Sequence, residues 1–326
     1  MFAILAAALL LSVGAGIAFG AVPLSLATVG DALLGRGDPT TVTIVRELRV
    51  PRVFAALLVG GALAVAGALL QGLLRNPLAD PYVTGASAGG ALGAIVPIAF
   101  FGSGSGLAVP IAAFAGALGA VALVWRMAHI GGRTTILTVL LAGIVLTSFA
   151  GAILTLVVVA SDRLSLRLRA LLDVLVGGVS VRDTAELVGA AVIVVVGVTL
   201  AVALAPRVDA YAFGEETAAT LGIDTERITG VVLVSTALLA GAAVALAGLV
   251  AFVGLVVPHA VRGLIGARHR PLVLASFLAG GAALVLADLG ARTVLAPAEL
   301  PVGVITGAVG GPFFLFLLVR SRRGTA

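Results

Sequence analysis

Residues 49–93 read RVPRVFAALLVGGALAVAGALLQGLLRNPLADPYVTGASAGGALG. Positions 53–74 carry no charged side chain, and a helix of that length spans a hydrocarbon core of about 30 Å. Arg49 and Arg52 precede the run and Arg75 follows it. Asn76-Pro77 and Asp80-Pro81 come next, turn-forming pairs in which each proline disfavours helix in the residue before it. A second apolar run begins near 82, and Gly85, Gly89 and Gly93 recur every four residues on one smooth helix face. The stretch predicts two membrane helices joined by a tight turn and packed through small residues.

The rest of the chain repeats this grammar. Of its 326 residues, 61% are hydrophobic and 11% charged, and the mean hydropathy is +1.24. Soluble domains run about 45–50% apolar and about 25% charged, so a soluble fold is excluded. Zero cysteines exclude a disulfide scaffold. Apolar runs fall near 2–22, 53–74, 82–101, 107–128, 134–160, 184–205, 229–250, 252–266, 272–292 and 302–319. The expected fold is an all-α polytopic membrane protein with about ten transmembrane helices. The run at 252–266 is short and holds Pro258, His259 and Arg262, which predicts a tilted or re-entrant helix. The first run lacks a basic n-region and is as long as a full span, so it reads as retained.

No linker divides residues 1–326, which read as a single transmembrane domain. Its longest polar segments, about 161–183 and 206–228, fall on opposite sides. An even span count places both termini together, and Arg320-Ser321-Arg322-Arg323 assigns that side to the cytoplasm. The loop tally then gives 11 arginines inside and 9 outside, a small margin. The net charge of +5 is spread singly along apolar runs, which suits lipid surfaces and argues against nucleic acid.

An internal echo joins the two halves. Gly61-Ala-Leu-Ala-Val-Ala-Gly67 resembles Gly241-Ala-Ala-Val-Ala-Leu-Ala-Gly248 with one insertion, five spans later. The copies cross in opposite directions, the pattern of an inverted repeat.

Catalytic chemistry is missing. All 20 basic residues are arginine, so a Walker A loop, which needs its lysine, is excluded. Glycines 14, 16 and 20 miss the dinucleotide-binding spacing. Histidines 129, 259 and 269 do not pair at metal-ligand spacing. Asp288 is the clearest ionisable residue within a span, four positions before Arg292 on the same helix face. No relay of acids lies at mid-membrane, which argues against a stand-alone ion-coupled secondary carrier.

Several motifs in order carry a resemblance. They are Arg49-Val-Pro-Arg52, Gln71 to Pro81, Gly214-Glu-Glu-Thr-Ala-Ala-Thr-Leu-Gly222 and Phe252 to Arg262. Ala287 to Arg292, Glu299-Leu-Pro-Val-Gly303 and Gly311-Pro-Phe-Phe314 complete the set. Together they resemble the permease family of ABC importers for iron–siderophore complexes, haem and cobalamin. The run Asp173-Val-Leu-Val-Gly-Gly178 departs from the family's usual Trp-Leu-Met-Gly-like pattern.

The resemblance implies an inverted-repeat type II importer permease, not itself an enzyme, in a bacterial cytoplasmic membrane. It implies a second permease copy, two cytoplasmic ATPases that bind the ATP and magnesium, and a periplasmic or lipoprotein binding protein. No cofactor or metal is expected on this chain. It further implies an ATPase-coupling helix at Gly214, Glu215, Glu216, Ala218, Ala219, Leu221 and Gly222, with Asp224 capping the next helix. Arg49, Arg52 and Arg292 are implied to dock the binding protein. Thr134 and Thr135 are implied to border an inner gate, and Asn76, Pro77, Asp80 and Pro81 form the motif turn. The substrate expectation is an iron–siderophore complex, with haem and cobalamin as alternatives.

Overall fold

The computed structural model describes residues 1–100, 107–129, 136–160, 173–181, 183–220 and 222–323. Among them the chain forms thirteen α-helices and no strand. In order these are α1 (Phe2–Ala18), α2 (Leu26–Leu33), α3 (Pro39–Thr43), α4 (Val50–Leu73), α5 (Ala86–Phe100), α6 (Ala108–Ala128) and α7 (Ile136–Ala160). Then follow α8 (Thr184–Tyr211), α9 (Glu215–Thr220), α10 (Thr225–Ala247), α11 (Val253–Ile265), α12 (His269–Thr293) and α13 (Val302–Arg323). Six helical stretches are long and apolar enough to cross a membrane: Pro39–Leu73, Ala108–Ala128, Leu137–Val157, Thr184–Tyr211, Thr225–Ala247 and His269–Thr293. Four shorter apolar helices, Phe2–Ala18, Ala86–Ala99, Val253–Ile265 and Val302–Leu315, occupy the other four predicted runs.

The bundle is organised by α4. A π-helical turn at Ile44–Arg49 joins it to α3 without a break, so Pro51, which has no amide to give the preceding turn, falls where the backbone ladder already departs from α-helical pairing. From Val59 to Leu73 every side chain is buried, enclosed by α8, α10, α11 and α12. Small residues permit this. A methyl on Gly60 would overlap the Gly280 carbonyl, a methyl on Gly280 would overlap that of Gly60, and one on Gly67 would overlap that of Gly254. Between helices in lipid, such close backbone approach supplies attraction that the hydrophobic effect cannot.

The echo has a structural counterpart. Gly61 lies under the Phe277 ring of α12, which a Cβ would meet at 2.6 Å, and Gly241 lies under the Phe114 ring of α6 at 2.9 Å. Thus α4 packs on α12 as α10 packs on α6, the second span on the ninth and the seventh on the fourth. Each following helix also starts beside a left-handed residue, Gly85 (φ +81°) before α5 and Phe252 (φ +69°) before α11.

Of the predicted glycine faces, Gly89 and Gly93 sit against the α6 backbone at Gly116 and Ala112. Gly307 and Gly311, four residues apart in α13, have nothing within 4 Å of an added Cβ among the described residues.

One expectation is corrected. The third span starts at Ala86 rather than 82, because Pro81–Thr84 form a 3-10 turn. That turn enters the protein: Pro81 and Thr84 are buried, and the Tyr82 hydroxyl accepts from the Val250 amide at 3.2 Å. The predicted tight turn is therefore itself folded into the protein. Part of the segment 161–183 is tied to the bundle. Leu249 donates to the Val174 carbonyl and Gly178 to that of Ala247, each at 3.0 Å, which stitches residues 174–178 to the end of α10.

Candidate functional site

Two polar clusters lie at opposite ends of α4 and α12, which run antiparallel. Arg52 at the start of α4 meets Asp288 near the end of α12, while Gly72 near the end of α4 meets His269 at the start of α12. At 1.5 Å per residue the two ends are about 30 Å apart.

The first end is a charged rim. Arg52 donates through Nε and Nη2 to Asp288 Oδ1, both at 3.0 Å, and through Nη1 to Glu299 Oε2 at 2.7 Å. Arg292 Nε pairs with Asp288 Oδ2 at 2.9 Å, and its Nη2 donates to the Gly16 carbonyl at 3.2 Å. Arg49 donates to the carbonyls of Ile17, Ala18 and Val22. The Ile17 and Ala18 carbonyls close the end of α1, whose last turn holds no basic residue of its own, so Arg49 supplies the charge that complements that helix terminus.

An open cleft of about 280 Å³ lies over the network, lined by Gly20, Ser180, Arg49, Arg52, Arg292 and Glu299 among others. The three arginines expected to dock a partner are thus brought together, but not equivalently. Arg49 and Arg292 are 5% and 3% exposed and engaged within the chain. Arg52 and Glu299 reach the surface, with side chains 21% and 31% exposed. The expected local pair of Asp288 and Arg292 is present, yet Asp288 also serves Arg52, a partner 236 positions away.

The second end holds the segment expected to couple to an ATPase. Its first part is helical, because α8 continues through Pro206 to Tyr211. Gly214 (φ +116°) turns the chain into α9, and Gly222 (φ +76°) ends it. The Ile223 amide returns to the Ala218 carbonyl at 3.1 Å. Asp224 Oδ1 accepts from the Arg227 amide at 3.0 Å, the predicted N-cap. Ala218 is fully buried and Ala219 exposed, so the two positions, grouped together from sequence, face opposite ways. Glu215 and Glu216 open the helix. Leu221, Thr134 and Thr135 lie outside the described residues.

Sequence reasoning missed three residues here. Phe213 is 79% exposed just before α9, an aromatic knob whose place in a polar loop was the available signal. Asp209, at the end of α8, accepts both the backbone amide and Nδ1 of His269, at 2.9 and 2.6 Å. No local pattern marks this pair, which is 60 positions apart. The His269 ring lies over Gly72, where any side chain would displace it. At the rim Glu299, quoted only as part of a motif, proves to be a partner of Arg52.

The motif turn sits beside α9, with the Arg75 guanidinium facing Gly214. Asn76 Oδ1 accepts from Leu78 and Asp80 Oδ1 from Tyr82, at 2.9 and 2.8 Å. Burial pushes the Asp80 carboxyl up to about 6, against the opposing effect of the Tyr82 amide. Among the described residues, no group of three or more His, Cys, Asp or Glu side chains could hold a metal ion.

The geometry is that of a membrane component with a polar cluster at each end of one buried helix pair. Comparison with known proteins agrees. The chain is 40% identical over 301 residues to the cobalamin import system permease of Halobacterium salinarum, covering 92% of this chain and 80% of that protein. It is 38% identical over 281 residues to the hemin transport system permease of Yersinia pestis, covering 85% and 83%. It is 36% identical over 322 residues to the iron(3+)-hydroxamate import system permease of Bacillus subtilis, covering 97% and 82%. A solved structure described as an inward-facing metal-chelate type ABC transporter superposes with a TM-score of 0.84 at 26% identity over 97% of each chain. The FecCD transport family matches residues 4–320. With its motifs in order, its helices paired two-by-nine and seven-by-four, and nearly its whole length matched, this chain belongs to the FecCD transport family.

Proposed function

We propose that the chain is the permease subunit of an ATP-driven, type II importer, and that two copies form the path for an iron–siderophore complex. A binding protein delivers the substrate at the rim of Arg52, Asp288, Arg292 and Glu299. Two separate ATPases dock at α9 on the cytoplasmic side, where both termini lie. The observation that carries this reading is the placing of an exposed short helix and a charged cleft at opposite ends of the same two buried helices, α4 and α12. ATP-driven closure of the ATPases moves α9, and the permease pair alternates access in response. The unfilled glycine positions on α13, Gly307 and Gly311, supply a face against which a second copy packs closely.

Relatives named for hydroxamate-bound iron, hemin and cobalamin share similar identity with this chain, so haem and cobalamin are the competing cargoes. Vesicles containing the permease, its ATPase and its binding protein should accumulate a ferric siderophore when ATP is enclosed. Uptake of haem or cobalamin instead would reassign the cargo. ATP-independent uptake by the permease alone would overturn the importer reading.

A further inference from the structure

Of the three rim arginines, only Arg52 combines a buried anchor with an outward edge. Its Nε and Nη2 are held by Asp288, whose side chain is 1% exposed. Its Nη1 points to Glu299, which belongs to the surface turn between α12 and α13. Charge counting gives this arrangement a meaning. Asp288 is the single buried carboxylate shared by Arg52 and Arg292, so that trio carries a net positive charge, which Glu299 neutralises from outside.

The two carboxylates on Arg52 are also held differently. Asp288 is enclosed and meets two nitrogens of Arg52 through Oδ1, whereas the Glu299 pair is a single part-exposed contact weakened by solvent and salt. An incoming carboxylate would therefore displace Glu299 and leave Asp288 in place.

We infer that Glu299 is an internal stand-in for an acidic side chain of the binding protein: it occupies the outer edge of Arg52 in the undocked permease and is exchanged for the partner's carboxylate on docking. This rests on the docking reading given under the proposed function. The stand-in holds Arg52 extended toward the cleft, so the guanidinium is positioned before the partner arrives. It also taxes docking, because one ion pair must open for another to form.

The test uses the permease–ATPase complex in lipid nanodiscs and the purified binding protein of the same importer, with affinity measured at low and high salt. Glu299→Gln should tighten docking about two- to fivefold at low salt, with the gain shrinking as salt rises. Arg52→Ala should weaken docking, and Glu299→Gln added to it should then give no gain. Because Arg52→Ala strips Asp288 of a partner, Arg52→Lys serves as a second background: the ammonium keeps Asp288 paired but cannot bridge both acids, so the Glu299→Gln gain should again vanish. An equal gain with and without Arg52 would mean that only the overall charge matters, and would overturn the proposal. Docking weakened by Arg52→Ala but unimproved by Glu299→Gln would overturn the stand-in while leaving the docking reading intact. Docking indifferent to both Arg52 variants would overturn the docking reading itself.

Discussion

The two ends of the bundle handle charge in opposite ways. At the rim, two guanidinium groups share the buried Asp288, and Arg49 is spent on the carbonyls of Ile17 and Ala18 in α1 and of Val22 beyond it. At the end beside α9, Asp80 accepts from one backbone amide, and the buried Nε2 of His269 has no hydrogen-bond partner among the described residues. Arg262 Nε and Nη2 and Gln71 Oε1 are also buried without one. At the rim Asp288 Oδ2 is likewise buried without a hydrogen bond among the described residues, facing Arg292 Nε as an ion pair at 2.9 Å. The rim is thus tied by ion pairs between distant segments, whereas the end beside α9 holds more buried polar atoms whose partners must be water or a rearranged neighbour.

The sharpest way to break this contrast is Asp288→Asn. It leaves Arg52 and Arg292 without their shared counter-charge, and loss of one partner of a buried pair costs about 3–5 kcal/mol. Thermal unfolding in detergent should show the largest loss of stability here, at every pH between 5 and 8.

Asp80 should behave in the opposite sense. Its folded-state pKa of about 6 lies above the ordinary 3.8, so the folded protein binds the extra proton between those values. Stability is therefore full below about pH 4 and falls as pH rises through 6, by roughly 2–3 kcal/mol for a shift of this size. Asp80→Asn keeps an acceptor for the Tyr82 amide and should flatten that slope, measured as the melting temperature from pH 4 to 7.

Asp209→Asn is a smaller change, because an amide oxygen still accepts from the His269 backbone and only the imidazole contact weakens. About 1 kcal/mol of stability should be lost. If α9 is driven by the ATPase, the looser joint between α8 and α12 should also lower transported substrate per ATP hydrolysed. Unchanged coupling would show that this joint is structural alone.

Ala219→Glu should affect stability least, within about 0.5 kcal/mol, since the position is exposed. Yet it should reduce ATP-driven uptake several-fold if α9 seats in the ATPase. Ala218→Glu cannot make this distinction, because a carboxylate at that buried site would disturb the local fold itself.

The helices were legible because their signals are local. Uncharged apolar runs mark the spans, Asp224 caps α10 from three residues away, and Gly214 and Gly222 bracket α9 with the left-handed conformations that only glycine adopts freely. The glycine echo was legible for the same reason, since small residues must recur wherever two backbones touch. The start of α5 was misread because hydropathy continues through Pro81–Thr84 while the backbone does not.

The amino-acid sequence by itself determined the ten apolar helices, their two-fold plan and the short helix at the coupling end. Only the tertiary structure decided which charges remain available. Arg49, Arg52 and Arg292 look alike as span-end arginines, but Arg52 meets Glu299 across 247 positions and Arg292 meets Gly16 across 276. Helix formation depends on residues within about one turn of each other, whereas the fate of a guanidinium depends on which distant carboxylate or carbonyl the packed helices bring within 3 Å.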